Sequence, residues 1–365
     1  MTDYFSSSYR EGRARFLGAA GRAGGAIESF VHPAIKGPQG EDLAIDCARF
    51  GRTDAPRLFL ASCGLHGLEA AAGSATMLQW LDLGGTKRLP DDMAVLLIHA
   101  LNPYGWAYAS RSNEDAIDLN RNGIDWSLPP PSNPAYADIH AILLRHAADQ
   151  AGLDGFTGDL HALAAAKGFE WALVGSAAGQ YAHPDGLSFG GSAQAWSTRT
   201  ALAIAQAHMP RQGKVLMLDW HTGIGPWAEP YLILDAPGGG GEQALVASWW
   251  PERQVHCEDV VEGARIEYHG LLTAAVRDLA ARSGQSSVIG LTVEWGTYPV
   301  DTMIEALVMD NWLRHRAAPA SDLAADVRAK LIDRFLPADP AWRAAVTGQS
   351  EAIYTEAIAG LAAWN

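Results

Sequence analysis

The sequence predicts an α/β fold organised around one largely parallel or mixed sheet. Three observations carry this expectation. Short apolar, β-rich runs recur along the chain, helix-periodic stretches lie between them, and His or Glu residues stand at the ends of several runs. Strands alternating with helices are the pattern of a sheet whose connections cover its faces. Polar residues at run ends fit the rule that open α/β sheets collect chemistry beyond the carboxyl ends of their strands.

The strand runs are 43–50, 57–62, 94–100, 215–220, 231–235, 254–258 and 288–294. Helical spacing of apolar residues marks 70–83, 135–151, 193–208, 241–250, 271–283 and 302–314. The Ala-rich stretch 321–364 reads as helical and is expected to pack on one face. Leu128-Pro-Pro-Pro-Ser-Asn-Pro134 reads as a rigid loop, and His183-Pro-Asp-Gly-Leu-Ser-Phe-Gly-Gly191 as a loop at the rim of a site. No linker and no internal repeat interrupts the 365 residues, so 1–365 reads as one domain.

The net charge of −14 argues against general binding to nucleic acid or to an anionic membrane. No apolar run reaches membrane-spanning length, and the polar start of the chain lacks a signal-peptide core. Cys47, Cys63 and Cys257 are few, odd in number and far apart, which suits buried thiols in a reducing compartment. A cytoplasmic protein is the expectation. The oligomeric state is not legible.

The chemistry concentrates in four segments. In Ala61-Ser-Cys-Gly-Leu-His66-Gly-Leu-Glu69, an imidazole and a carboxylate three residues apart follow an apolar run. His221, in Leu216-Met-Leu-Asp-Trp-His221, follows another. Two His and one Glu with an open fourth position form the ligand set of a catalytic zinc site. The bland alternatives are a hydrogen-bonded structural His66 and a Glu69 that complements a helix dipole. Arg111 and Arg121 flank a segment without apolar periodicity. Either they bind a carboxylate through paired hydrogen bonds, or they join Glu114, Asp115 and Asp118 in a surface network. Glu294 ends an apolar β-run, where a carboxylate serves as an acid–base group or caps the helix beginning near Asp301.

The ordered set His66-x-x-Glu69, Arg111, Asp118-Leu-Asn120-Arg121-Asn122, His221 and Glu294 resembles the zinc metallocarboxypeptidases of the M14 type. It looks most like the branch called DUF2817, as do Ala100-Leu-Asn-Pro-Tyr-Gly105 and Val293-Glu-Trp-Gly-Thr297. The resemblance spans roughly residues 5 to 360. It implies a mixed, twisted sheet of about eight strands with helices on both faces. It implies one zinc per chain, held by His66, Glu69 and His221, with Asp118 orienting the ring of His66. It implies Arg111 as oxyanion stabiliser, Asn120 and Arg121 as holders of the substrate carboxylate, and Glu294 as general base and then acid. Two features depart from the family pattern. The mobile Tyr that covers substrate has no motif here, Tyr231 and Tyr298 being candidates, and the span from Glu69 to His221 is long.

The expected reaction is therefore hydrolysis of an amide or peptide bond next to a free carboxylate, with a small peptide or an N-acyl amino acid as substrate. The rival reaction is N-acyl amino acid deacylation of the aspartoacylase or succinylglutamate desuccinylase type. The rival outside enzymes is a metal- or peptide-binding module. No Gly-x-Ser-x-Gly elbow between strand and helix points to a serine hydrolase.

Overall fold

The computed structural model describes residues 3–257, 260–261, 264–316 and 321–365. Eight strands form one mixed sheet in the order β1-β2-β4-β3-β5-β10-β6-β7. They are β1 (Ala26–Lys36), β2 (Asp42–Gly51), β3 (Arg57–Cys63), β4 (Met93–His99), β5 (Lys214–Gly223), β6 (Pro230–Leu234), β7 (Val255–Cys257) and β10 (Ser287–Gly296). The short strands β8 (Val260–Val261) and β9 (Ala264–Arg265) pair separately. Strands β4, β3, β5 and β10 run parallel at the centre. The pairs β1–β2, β2–β4 and β10–β6 are antiparallel.

The central strands are buried on both faces, which explains their continuous apolar runs. One face meets α1 (Tyr9–Arg22), α2 (Ala70–Asp82), α8 (Gly241–Ala247) and α12 (Pro340–Ala363). The other meets α7 (Trp196–His208) and α9 (Leu272–Ser283). A third cluster joins α4 (Tyr136–Arg145), α5 (Gln150–Lys167), α6 (Phe169–Ala177), α10 (Val300–His315) and α11 (Asp322–Phe335). A short α3 (Pro103–Tyr108), capped by the Asn102 side chain, follows β4.

The expected strands are present with small shifts at their ends, and Glu258, the last residue of the expected 254–258 run, lies outside the described residues. Strand β1 carries no expected run because it is an exposed edge whose polar residues and Pro33 break the apolar pattern. The expected 135–151 helix divides, since His146 is extended and Asp149 caps a new helix by accepting from Gly152 N at 2.8 Å. The 321–364 stretch divides likewise between α11 and α12, across Leu336-Pro-Ala-Asp339.

Helix α12 is pinned by an aromatic group under the sheet. Trp220 and Trp295, on adjacent strands, stack nearly parallel at 6.1 Å between centroids. Trp220 Nε1 donates to the Tyr354 hydroxyl at 3.0 Å, and all three residues are buried. Removing that oxygen leaves a buried indole N–H without its acceptor. Tyr354→Phe is therefore expected to lower stability by about 1–3 kcal/mol. The check is the urea midpoint followed by Trp fluorescence. An unchanged midpoint would mean that the indole finds another acceptor.

Candidate metal centre and active-site cleft

The period-2 alternation of β5 builds half of the site. Val215 and Met217 pack into the core on the α7/α9 side, and Asp219 and His221 continue the same face at the carboxyl end. Glu294 on β10 stands in register with His221, and Ser62 on β3 with Asp219. The lower half of this face is thus apolar and its upper edge is chemical.

The other half leaves the end of β3. Gly64 turns the chain with φ +71°, a conformation that disfavours a side chain. His66 follows, and the single 3-10 turn Gly67–Glu69 leads into α2. A Cβ on Gly67 would lie 2.0 Å from the Gly105 carbonyl carbon, so only glycine lets this turn press against α3.

These elements meet at one carboxylate. Glu69 Oε1 lies 3.0 Å from His66 Nδ1, and Glu69 Oε2 lies 3.0 Å from His221 Nδ1. Oε2 also accepts from Thr222 N at 3.1 Å. The opposite edge of each ring is held by an aspartate. His66 Nε2 is 2.9 Å from Asp118 Oδ1, and His221 Nε2 is 2.7 Å from Asp219 Oδ2. Ser62 Oγ donates to Asp219 Oδ1 at 2.7 Å. All seven residues are buried. Glu69 occupies the N-cap position of α2, but its side chain makes no capping bond, and its oxygens are committed to the two rings and Thr222. Burial alone would raise its pKa, but the charges of His66 and His221 and their hydrogen bonds hold it well below the usual carboxylate range.

The arginines take up different positions. Arg111 gives Nη1 to Asp118 Oδ2 at 2.5 Å inside the site, not at the surface. Arg121 donates to the carbonyls of Asn120 and Ala177 at 2.6 and 2.7 Å and lies 4.7 Å over the Tyr268 ring. Its buried Nε has no partner among the described residues. Asn120 Oδ1 accepts from Leu272 N at the start of α9. Glu114 pairs with His32, away from both arginines.

Glu294 is 7% exposed and accepts from Ile224 N at 3.4 Å. It does not cap α10, whose N-cap is Pro299 without a side-chain bond. Burial, with Glu69 nearby, pushes its carboxyl up to about 7, while the His221 and His66 charges pull the other way. His66, Glu69, Arg111, Arg121 and Glu294 open on one cleft of about 590 Å³. Its walls are mostly apolar and include Leu173, Met303, Ile304, Leu307 and Phe335. Asn120, Arg121 and Glu294 line a smaller adjoining cavity of about 90 Å³.

Sequence reasoning missed two residues. Asp219 holds His221, and its signal was its place two residues earlier on one strand face. Asp310 of α10 accepts from Ser110 Oγ at 3.0 Å and Arg111 N at 3.1 Å, which fixes the Arg111 loop. Nothing local announces that role, because the contact spans some 200 residues. Tyr231 stands opposite Glu294 in the β6–β10 ladder and stacks on His256 at 3.8 Å, while the Tyr298 hydroxyl donates to Asp333 at 2.6 Å. Both line the cleft, as does Tyr268, which the motifs did not single out.

A family model described as "Protein of unknown function (DUF2817)" matches residues 5–349. The chain belongs to the DUF2817 family. No curated protein matches it. Among solved structures, this DUF2817 chain is similar to carboxypeptidase A from Helicoverpa armigera at 14% identity and TM-score 0.49, covering 91% of this chain and 75% of that one. A candidate metallopeptidase of Shewanella denitrificans OS217 is similar at 16% identity and TM-score 0.40, covering 84% and 89%. A candidate succinylglutamate desuccinylase/aspartoacylase of Shewanella frigidimarina NCIMB 400 is similar at 15% identity and TM-score 0.39, covering 80% and 72%.

The two aspartates behind the rings make a testable pair. Asp118→Ala and Asp219→Ala each release one imidazole from its orienting partner. Each is expected to weaken divalent-metal binding by roughly 10–100-fold with the fold retained. Metal titration of the two variants beside wild type, with circular dichroism as the fold control, provides the check. Unchanged affinity in both would detach the aspartates from any metal role.

Proposed function

We propose that this protein is a zinc-dependent hydrolase that cleaves an amide or peptide bond beside a free carboxylate, as M14-type carboxypeptidases do. The observation that carries the reading is the convergence of His66 Nδ1 and His221 Nδ1 on Glu69, with Glu294 on the same sheet face beside His221.

The residues fit a divalent cation. Two imidazoles and a carboxylate suit zinc in donor type and number. Both rings have their Nε2 edges occupied by aspartate, which leaves Nδ1 as the inward donor atom of each. Charge agrees as well. Glu69, Asp118, Asp219 and Glu294 are four buried carboxylates facing the guanidiniums of Arg111 and Arg121. Metal binding takes the imidazoles neutral, and a divalent cation would then replace the positive charge that the rings otherwise supply to Glu69. A bound zinc would supply Lewis acidity and make water a stronger acid.

The chain's own groups then divide the work. Glu294 takes a proton from the attacking water and returns it to the leaving amine, so one water is consumed per bond cleaved. A carboxyl pushed up towards neutrality is poised to move a proton both ways. Arg111, locked by Asp118 and by the Asp310-bound loop, donates to the oxygen that gains charge as the carbonyl is attacked. Arg121 and Asn120, at the neighbouring end of the cleft, hold the substrate's free carboxylate. The substrate is a small peptide or an N-acyl amino acid whose apolar part lies against the α10 and α11 walls.

Kinetics of two variants on one substrate test this division. Glu294→Gln is expected to keep zinc and substrate affinity and to lose roughly 10²–10⁴-fold in kcat. Arg121→Ala is expected chiefly to raise KM, because a carboxylate anchor serves the ground state and transition state alike. Equal turnover in wild type and Glu294→Gln would remove the proposed base and leave a binding module.

A further inference from the structure

The rim loop carries a second cluster of metal-type donors that the hydrolytic reading does not use. His140 on α4 and His183 and Asp185 on the loop each offer one donor atom, and the three atoms lie within 4.8 Å of one another. The His140 and His183 rings are 3.9 Å apart between centroids, and His140 Nε2 is 3.3 Å from Asp185 Oδ1.

The cluster stands on a fixed frame. Gly186 N donates to His183 O at 3.0 Å and closes the turn His183-Pro-Asp-Gly186. Such a turn, with Pro at its second position, holds His183 and Asp185 in a set relation. The Gln180 side chain clamps the turn from below. Its Oε1 accepts from Ala182 N at 2.9 Å and His183 N at 2.7 Å, and its Nε2 donates to His183 O at 2.7 Å. The Tyr136 hydroxyl, one helical turn before His140, accepts from Leu187 N at 2.5 Å. Asn311 of α10 donates to Asp185 O at 2.8 Å. The loop backbone that carries His183 and Asp185 is therefore held by bonds that are made without any ion, and little backbone ordering remains for binding to require.

We propose that His140, His183 and Asp185 form a second divalent transition-metal site, separate from the His66–Glu69–His221 centre, that fastens the rim loop to α4. Two imidazoles and one carboxylate select a zinc-like ion over calcium or magnesium, which prefer all-oxygen shells. Asp185 is exposed, so water completes the coordination from the solvent side. The fastening reaches the cleft through the same loop. Ser188 lines the cleft wall, and Phe189 O accepts from Asp118 N at 2.7 Å. An ion on the rim thus steadies the segment that carries the partner of His66.

The test counts zinc at equilibrium. Full-length protein is stripped with a chelator and dialysed against zinc, and bound zinc per chain is measured for wild type, His183→Ala, Asp185→Asn and Glu69→Gln. Asp185→Asn retains side-chain size and guards against a folding defect, which circular dichroism monitors. Wild type is expected to hold one zinc more than either rim variant, and Glu69→Gln to keep the rim ion. Equal counts in wild type, His183→Ala and Asp185→Asn would overturn the proposal. That comparison involves only the rim cluster, so it stands or falls apart from the hydrolytic reading.

Discussion

One buried carboxylate organises this molecule. Glu69 receives two imidazoles and a backbone N–H from two parts of the chain, His66 beside it and His221-Thr222 on β5, in a place where water cannot compensate a charge. A buried carboxylate is tolerated only when it is fully paired. The demand propagates outward. Gly64 must turn the chain sharply after β3, Gly67 must let the following turn press on α3, and β5 must present His221 on its inner face. Each imidazole then needs an acceptor behind it, supplied by Asp118 for one and Asp219 for the other. Asp118 needs Arg111, and the Arg111 loop needs Asp310. The chain of requirements runs from the sheet to a helix two hundred residues away.

The same sheet separates stability from chemistry. On β5 and β10 one face carries Leu216, Leu218 and Trp220 beside Ile289, Leu291, Val293 and Trp295 and packs on α2 and α12, with Trp220 and Trp295 stacked there. The other face is apolar only in its lower half and ends in Asp219, His221 and Glu294. Rigid strands therefore place His221 and Glu294, the turn after β3 places His66 and Glu69, and the segment between β4 and α4 places the two arginines. Much of the apolar cleft wall comes from α6, α10 and α11, through Leu173, Met303, Ile304, Leu307 and Phe335. Among the described residues, no helix is long and apolar enough to cross a membrane, and the three cysteines are buried and outside any disulfide.

Much of this is legible in the sequence. Strands β2, β3, β4, β5 and β10 announce themselves because burial on both faces makes a continuous apolar run, and His66, His221 and Glu294 stand at the ends of such runs. What escaped has physical reasons. Edge strand β1 is mostly exposed and needs no apolar face. Helix α1 buries Phe16 with small residues such as Ala19 and Ala20, which leave a weak stripe. Asp219 was visible as a neighbour of His221, but its partnership depends on strand pleat. Asp310 was not visible at all, because its bonds to Ser110 and Arg111 are set by tertiary packing.

The most direct measurement is the release of free amino acid from N-blocked dipeptides by zinc-loaded protein, run beside the same dipeptides with an amidated C-terminus. The account expects release from the free acids, loss of that release on chelation with recovery on zinc return, and little cleavage of the amides. Cleavage that survives metal removal, or that treats amide and acid alike, would contradict it.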